Sequence, residues 1–334
     1  MPELKLSVLD QSPIPSGATA AQALADSVRL AQLTEGLGYH RYWVAEHHGS
    51  KSFAGCAPEI LIAHVASATS RIRVGSGGVM LMHYSPYKVA EVFKLLATLH
   101  PDRIDLGLGR APGSDGLTAA ALAYGNRVGI EYFPAKVADL VAFLHDRTPV
   151  TEALARVVAT PSVTTPPQLW MLGSSEEGAR IAAHFGLPFS YAHFINPDHV
   201  ERACAVYRDS FRPTEFHPEP QINLGVFVLC ADSTEEAEGL AACRDLWRLR
   251  VERGEFGPFP SVAEAMAHPF SAAERARIDG RRQHQILGTR EPVAARLREL
   301  AAGVGAEELS VVSITHDFRQ RARCYELLAD ALLT

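Results

Sequence analysis

A glutamate and two histidines at residues 46–48 directly follow an apolar stretch and could transfer protons near neutral pH. Histidine is the side chain whose ordinary pKa lies closest to neutral pH. His47 and His48 are therefore candidates for a general base or for stabilising an anion. Metal ligation is one alternative, but adjacent histidines point apart on an extended chain. No other cluster of histidines or carboxylates has recognisable metal-site spacing, so no metal site is predicted. A solvated loop is the other alternative.

Glycines are concentrated in the next segment, where Val74 is followed by Gly75, Ser76, Gly77 and Gly78. Glycine weakens a strand. Three glycines in one strand therefore indicate either a flat ligand lying close to the backbone or an unusual backbone geometry. A plain β-bulge is the competing interpretation.

Two further segments suit an anionic group. Arg110 follows an apolar stretch among glycines, which is typical of a guanidinium that holds a phosphate, although a surface salt bridge is the alternative. Ser174 and Ser175 follow Gly173 where a helix is predicted to begin, and the free N–H groups of a helix N-terminus bind anions. Simple N-capping by either serine is the alternative. The segment matches neither the Walker phosphate loop nor G-x-G-x-x-G.

Short apolar strands that alternate with amphipathic helices must position these segments. The eight predicted strands are Leu4–Asp10, Tyr42–Ala45, Ile72–Leu81, Ile104–Leu108, Gln168–Leu172, Phe189–His193, Ile222–Leu229 and Leu309–Ile314. This count predicts an α/β protein with a TIM (β/α)₈ barrel, whose catalytic groups lie at the C-terminal ends of the strands. An open, doubly wound sheet is the alternative. We interpret residues 1–334 as one domain, with loop or lid insertions near 111–131 and 254–285.

The composition is that of an ordinary globular protein, with 47% hydrophobic and 21% charged residues and a formal net charge of −6. This balance lacks the positive charge that binding to nucleic acid or to an anionic membrane surface requires. The five cysteines are scattered and include no C-x-x-C pair, which argues against disulfides and structural zinc. Neither a leader-type N-terminus nor an apolar stretch of membrane length is recognised, so we expect a cytoplasmic protein.

Taken in order, these segments resemble those of the bacterial luciferase-like flavin monooxygenases, and the resemblance extends over almost the whole chain. Its most specific parts, after the Glu-His-His of residues 46–48, are residues 74–81, 106–113, 173–175, 182–188, 288–293, 307–311 and 325–329. The chain is more similar to the short, single-subunit members of the family than to the light-emitting heterodimer.

The resemblance implies a luciferase-like barrel that binds FMN at its C-terminal mouth and oxidises a small organic substrate with reduced FMN and O₂. His47 matches the active-site histidine of the family and, with Glu46 beside it, forms the predicted catalytic pair. The predicted cofactor-binding residues are Ser76, Gly77, Gly78, Arg110, Ser174, Ser175 and Gly178. A non-proline cis peptide typical of the family is assigned to Gly77–Gly78. Gly109 stands where the light emitters have a reactive cysteine, so light emission is not implied.

Partners and pocket walls follow from the same resemblance. A separate flavin reductase is expected to supply the reduced FMN. Apolar residues on the helices predicted over 59–67 and 87–99 suggest a homodimer. Four side chains are candidates for the wall of a dry pocket, although core packing is the default for each: Met80, Met82, Tyr84 and Phe194.

Four other functions remain open. Within the same fold, an oxidoreductase that uses NAD(P)H directly or one that uses a deazaflavin coenzyme would have a similar sequence. A non-catalytic flavin-binding protein is a third alternative, and a metal-dependent TIM-barrel hydrolase that uses His47 and His48 is a fourth.

Overall fold

Eight parallel strands close into a barrel. The computed structural model describes residues 4–111, 113–124 and 130–333. Within them the strands are β1 (Lys5–Asp10), β2 (Arg41–Val44), β3 (Arg73–Met80), β4 (Ile104–Gly109), β5 (Gln168–Gly173), β6 (Phe189–Ala192), β7 (Ile222–Cys230), β8 (Ile286–Gly288) and β9 (Glu308–Val312). Neighbours pair in chain order from β1 to β7, and β9 pairs with both β7 and β1. The predicted TIM barrel is confirmed, and the open-sheet alternative is wrong because these pairings form a closed circle.

The short strand β8 was not predicted. Its three residues pair with Val228–Cys230 of β7 and lie outside the circle. A segment of this length is too short for an alternation of apolar and polar residues to be recognised.

Helices connect the strands and cover the barrel. In the described residues the α-helices are α1 (Ala20–Gly36), α2 (Pro58–Ala68), α3 (Pro86–Leu99), α4 (Gly116–Ala123), α5 (Phe133–Leu144), α6 (Glu176–His184), α7 (Val200–Ser210), α8 (Thr234–Glu252), α9 (Val262–Ala267), α10 (Ala272–Arg282), α11 (Arg290–Val304) and α12 (Phe318–Leu332). Parallel strands require such crossover connections because a tight turn cannot join them. A membrane-spanning helix, which would have to be longer and more apolar, is not found in this part of the chain.

The two faces of each strand bury different partners, because successive side chains point to opposite sides of a sheet. On β2, Tyr42 and Val44 belong to the core between the barrel and its helices, whereas Trp43 belongs to the core inside the barrel. Trp170 of β5 meets Trp43 there, with ring centroids 5.4 Å apart. Both faces are apolar, which explains why the strands read as continuous apolar runs.

A buried ionic network fills the N-terminal end of the barrel. Arg41 donates to Asp105 at 2.8 Å and to Glu308 at 2.9 Å, and Arg73 donates to Asp105 at 2.6 Å. Burial alone would raise the pKa of the Asp105 carboxyl, but the two arginines beside it hold that pKa below its ordinary value. Charged side chains therefore fill the barrel interior at this end, and the predicted functional segments lie at the opposite, C-terminal end.

The prediction of loops near 111–131 and 254–285 is partly wrong. The first segment contains α4, which Asp115 caps by accepting from the N–H groups of Leu117 and Thr118. Residues 112 and 125–129 lie outside the described part of the chain. The helix α5, which follows, was not predicted either.

Two further helices, α9 and α10, lie within 254–285. Each begins with a capping box, formed by Ser261 with Glu264 and by Ser271 with Glu274. A serine followed three residues later by glutamate is a sequence signal for a helix start. That signal was present here, but the high content of glycine, proline and small residues suggested loops instead.

Candidate functional site

The cavity that contains most of the predicted cofactor-binding residues, which we call the main cavity, opens where the C-terminal ends of strands β3 to β7 meet. It measures about 370 Å³ and is lined mostly by apolar side chains. Six of the seven predicted cofactor-binding residues line it: Gly77, Gly78, Arg110, Ser174, Ser175 and Gly178. Among the predicted wall residues, Met80 and Phe194 line it too. Met82 instead packs in the core between barrel and helices, and Tyr84 binds Glu46.

Ser76 has a structural contact rather than a place in the cavity wall. Its side chain is fully buried, and its hydroxyl donates to the carbonyl of Gly107 and accepts from the N–H of Gly107, both at 3.0 Å. The hydroxyl therefore links β3 to β4 immediately before Gly77. The prediction that Ser76 binds the cofactor is not supported by this placement.

The peptide bond between Gly77 and Gly78 is cis, as predicted. The pairing of β3 with β4 is irregular at the same point. A Cβ atom on Gly77 would lie 2.4 Å from the Leu9 side chain, and one on Gly78 would lie 2.7 Å from the Gly107 carbonyl oxygen. The backbone contact leaves no room for a side chain at Gly78, whereas at Gly77 the Leu9 side chain would have to move. Together the two glycines form a bare stretch of backbone in the cavity wall.

Donors for an anion converge at the mouth of the main cavity. Ser175 is the N-cap of α6 and accepts from the N–H of Gly178 at 3.3 Å. Arg110 makes an ion pair with Glu177 at 2.6 Å, and Glu177 is 68% exposed. The capping and salt-bridge alternatives are therefore both present in the structure. They are compatible with an anion site, because an exposed glutamate can leave the guanidinium at little cost.

Two side chains that follow β5 in the sequence fix the backbone at Ser174. Tyr191 and Asn196 both donate to its carbonyl oxygen, at 3.3 Å and 3.0 Å. The first turn of α6 and the Ser174 hydroxyl are thus held at the mouth. A guanidinium, a serine hydroxyl and helix N–H groups suit a phosphate, and the apolar wall beside bare backbone suits a flat ring. The residues present therefore fit FMN.

His47 lies in a second cavity of about 340 Å³ that shares Phe194 and Ile195 with the main one. Its ring packs on Phe53 with centroids 4.6 Å apart. Its Nδ1 atom is buried and has no hydrogen-bond partner among the described residues. Burial, followed by the electrostatic effect of the neighbouring His48, lowers the pKa of His47 to about 4. The imidazole is therefore neutral near pH 7 and can accept a proton.

The structure does not bring Glu46 to His47. The Glu46 carboxylate is buried and is bound by His48 at 2.6 Å, Tyr84 at 2.7 Å and the N–H of Met80 at 3.0 Å. The side chains of residues 46 and 47 point to different sides because they follow one another on an extended segment. Glu46 thus ties the segment after β2 to the end of β3, and this placement does not support the predicted pairing of Glu46 with His47.

The titration of His47 provides a first prediction. We expect ¹⁵N NMR of the histidine rings, assigned with His47→Gln, to show His47 titrating well below its ordinary 6.5, near 4. The sign follows from burial: the fold favours the neutral ring, so protonation destabilises the protein. This contribution to stability is present above pH 6.5 and is lost as the pH falls towards about 4. A midpoint near 6.5 would mean that the ring is hydrated.

Several residues of the second cavity were not predicted. Gln11, Arg244, Trp247 and Phe259 line it, and Arg244 and Trp247 belong to α8. The sequence gives only a weak signal that α8 contributes to a cavity, because arginines at i and i+4 spacing are equally typical of an exposed helix face.

A metal site is not found in the part of the chain that the structure describes. Its residues contain no group of three or more histidines, cysteines or carboxylates that could hold an ion.

Comparison with known proteins agrees with this geometry. The family model of the luciferase-like monooxygenases matches residues 4–308. The N-acetyl-S-alkylcysteine monooxygenase of Bacillus subtilis is 37% identical over 334 residues, covering 99% of this chain and 98% of the relative. The crystal structure of apo-MsnO8 superposes with a TM-score of 0.90 at 40% identity, covering 98% of each chain.

A more distant relative is named for its cofactor. The oxygenase component of the flavin-dependent trigonelline monooxygenase of Acinetobacter baylyi is 23% identical over 319 residues, 87% of this chain and 84% of the relative. The family match over most of the chain, the relative at 37% identity and the closed barrel together establish that this chain belongs to the luciferase-like monooxygenase family.

Proposed function

We propose that the chain is an FMN-dependent monooxygenase that uses reduced FMN and O₂ to oxidise a small organic substrate. The observation that carries the proposal is the pair of adjoining cavities: one has anion donors at its mouth and bare backbone at Gly77–Gly78, and the other contains His47. The ring of FMN would lie against Gly77–Gly78, and its phosphate would lie at Arg110, Ser174 and the first turn of α6.

Reduced flavin supplies the two electrons that activate O₂, and the protein supplies binding, orientation and exclusion of water. The apolar walls of both cavities keep water away from the reaction. The neutral imidazole of His47 is placed to accept or hold a proton at its buried Nδ1 atom, which has no partner among the residues that the structure describes. Glu46 acts through position only, by holding the end of β3 from which the cavity backbone continues.

A reductase partner is part of the proposal. One relative is an oxygenase component by name, which supports an enzyme that receives its reduced flavin from a second protein. We propose that reduced FMN arrives in this way and that NAD(P)H is not used directly.

Anaerobic titration tests the cofactor. Reduced FMN and reduced deazaflavin F420 are each titrated into the protein, and O₂ is then admitted while flavin oxidation and hydrogen peroxide release are followed. We expect binding of reduced FMN and a peroxide yield that differs from that of free flavin. Preference for F420, or reduction of bound FMN by NADPH alone, would contradict the proposal and favour the corresponding alternative oxidoreductase.

Replacing Glu177 provides a second prediction. Its carboxylate binds the Arg110 guanidinium, which is the group that we propose binds the phosphate of FMN. We expect Glu177→Gln to strengthen FMN binding by up to about fivefold, since an exposed ion pair contributes at most about 1 kcal/mol. Riboflavin, which has no phosphate, should bind equally to both proteins. Weaker FMN binding in the variant would show that Glu177 supports the site instead of competing for it.

Association with a second copy is a third prediction. Ile60 on α2 and Leu95 and Leu99 on α3 are 71%, 52% and 61% exposed, and these two helices are neighbours. Apolar side chains exposed to this degree are typical of a surface that another subunit covers. Light scattering should give a dimer, which Leu95→Glu dissociates. Met266→Glu, at an apolar residue of α9 that is 71% exposed, should not dissociate it. A monomeric wild type would contradict the proposal.

A further inference from the structure

The second cavity has the dimensions and lining of a binding site for an amphipathic molecule. Most of its lining is apolar or aromatic, including Phe53, Phe227, Trp247 and Phe259. It adjoins the main cavity through Phe194 and Ile195 and contains His47. A molecule bound here would therefore lie beside the proposed flavin and the candidate catalytic histidine.

A buried cation lies in this apolar wall. Arg244 is 8% exposed, and the central carbon of its guanidinium lies 3.6 Å from the centroid of the Phe227 ring. No hydrogen bond or ion pair joins this guanidinium to any residue in the described ranges 4–111, 113–124 and 130–333. Buried charges are normally paired, because removing them from water is costly.

The nearby carboxylates are already engaged. Asp245 pairs with Arg282 at 2.8 Å, and Glu252 pairs with Arg281. Arg248 also lines the cavity and adds a second positive charge. Burial, followed by the positive charge of Arg248, lowers the pKa of Arg244 to about 9. The contact with Phe227 offsets part of the cost of burial, since the negative face of an aromatic ring attracts a cation. The cavity wall therefore carries two arginines, Arg244 and Arg248, against one carboxylate, Glu252, which Arg281 binds from outside the wall. Its net charge is positive.

We propose that the cavity beside His47 binds the substrate as an organic anion, with the guanidinium of Arg244 holding a carboxylate or sulfonate group and the aromatic wall holding an apolar body. This inference rests on the proposed function for its identification of the anion as the substrate. The planar guanidinium presents donors that match either group. The phosphate of FMN would lie elsewhere, at Arg110 in the main cavity, so the two anion sites are distinct.

Calorimetry with simple probes tests the anion site. Octanoate, octane-1-sulfonate and octanamide are titrated separately into the full chain, with and without saturating FMN. They have similar apolar bodies, but only the first two are charged. We expect at least one of the two anions to bind roughly tenfold or more tightly than the amide, because hydrogen bonds to charged groups contribute about 1.5–3 kcal/mol. The stronger of the two anions identifies the preferred head group. Equal binding of all three probes would overturn the inference without any variant.

Variants locate the site. Arg244→Gln should weaken binding of the preferred anion roughly 10- to 100-fold and leave octanamide binding unchanged, whereas Arg244→Lys should retain part of the preference. Arg250→Gln on the same helix is the matched control, since Arg250 does not line the cavity and pairs with Glu264 at 3.7 Å. Wild-type anion binding in a folded Arg244→Gln protein would overturn the assignment.

Failure of this inference is distinguishable from failure of the proposed function. The probe titrations require no turnover, whereas the proposed function is tested by the binding and oxidation of reduced FMN. Loss of the anion preference with intact FMN chemistry would overturn only the substrate class. If the anion preference is present but reduced FMN does not bind, the identification of the anion as an oxygenase substrate is overturned.

Discussion

Replacing His47 by alanine should lower turnover by roughly 10²–10⁴, the usual contribution of a positioned acid or base, while leaving the fold and FMN binding largely intact. The buried Nδ1 atom of His47 has no partner in the described chain, and its ring faces the second cavity. Without a proton acceptor there, more of the reduced flavin should release hydrogen peroxide instead of oxidising substrate. Peroxide yield per reduced FMN is therefore the primary measurement.

His48→Ala is the matched control for His47→Ala. His48 binds Glu46 and contacts Tyr84 rather than lining the second cavity. Its removal leaves a buried carboxylate with one partner fewer, so we expect a loss of stability and only a mild loss of turnover that follows the melting temperature. Two outcomes would show that His47 has no catalytic role. One is that both variants lose activity only in proportion to stability, and the other is that a well-folded His47→Ala protein oxidises as much substrate per reduced FMN as the wild type does.

Replacing Arg110 by alanine should weaken FMN binding by about 1–3 kcal/mol, because a charge-assisted contact to the phosphate is lost. This corresponds to a rise in Kd of roughly 5- to 150-fold. Arg110 lines the mouth of the main cavity opposite the first turn of α6, and in the structure its guanidinium binds Glu177. Fluorescence titration with FMN provides the measurement.

Riboflavin and a second arginine make this prediction specific. Riboflavin has no phosphate, so its binding should change much less in Arg110→Ala. Arg180 lies on α6 and its side chain is 59% exposed. Arg180→Ala therefore tests whether the loss of any positive charge near α6 weakens FMN binding as much as the loss of Arg110. Equal losses for FMN and riboflavin would remove Arg110 from the phosphate site, and equal losses in the two variants would indicate a long-range electrostatic effect.

Much of the fold was predictable because it depends on local signals. The alternation of apolar strands with helices specified the barrel, and all eight predicted segments are strands of the circle within a residue or two of their observed ends, as β1 (Lys5–Asp10) illustrates. The glycine-rich segment and its resemblance to the family located the cis peptide at Gly77–Gly78. Helices that interrupt glycine- and proline-rich segments, such as α9, were missed because composition outweighed the capping signal at Ser261.

The sequence by itself also determined which strand ends carry functional groups, because motifs such as Glu-His-His and Gly-Ser-Ser immediately follow apolar runs. Tertiary structure alone decided how neighbouring residues divide their roles. Glu46 faces His48 and Tyr84 while His47 faces a cavity, since consecutive side chains point to opposite sides and only the packing shows which side holds the ligand. Arg244 joins His47 in one cavity because barrel closure and the packing of α8 bring together parts of the chain that no local pattern connects.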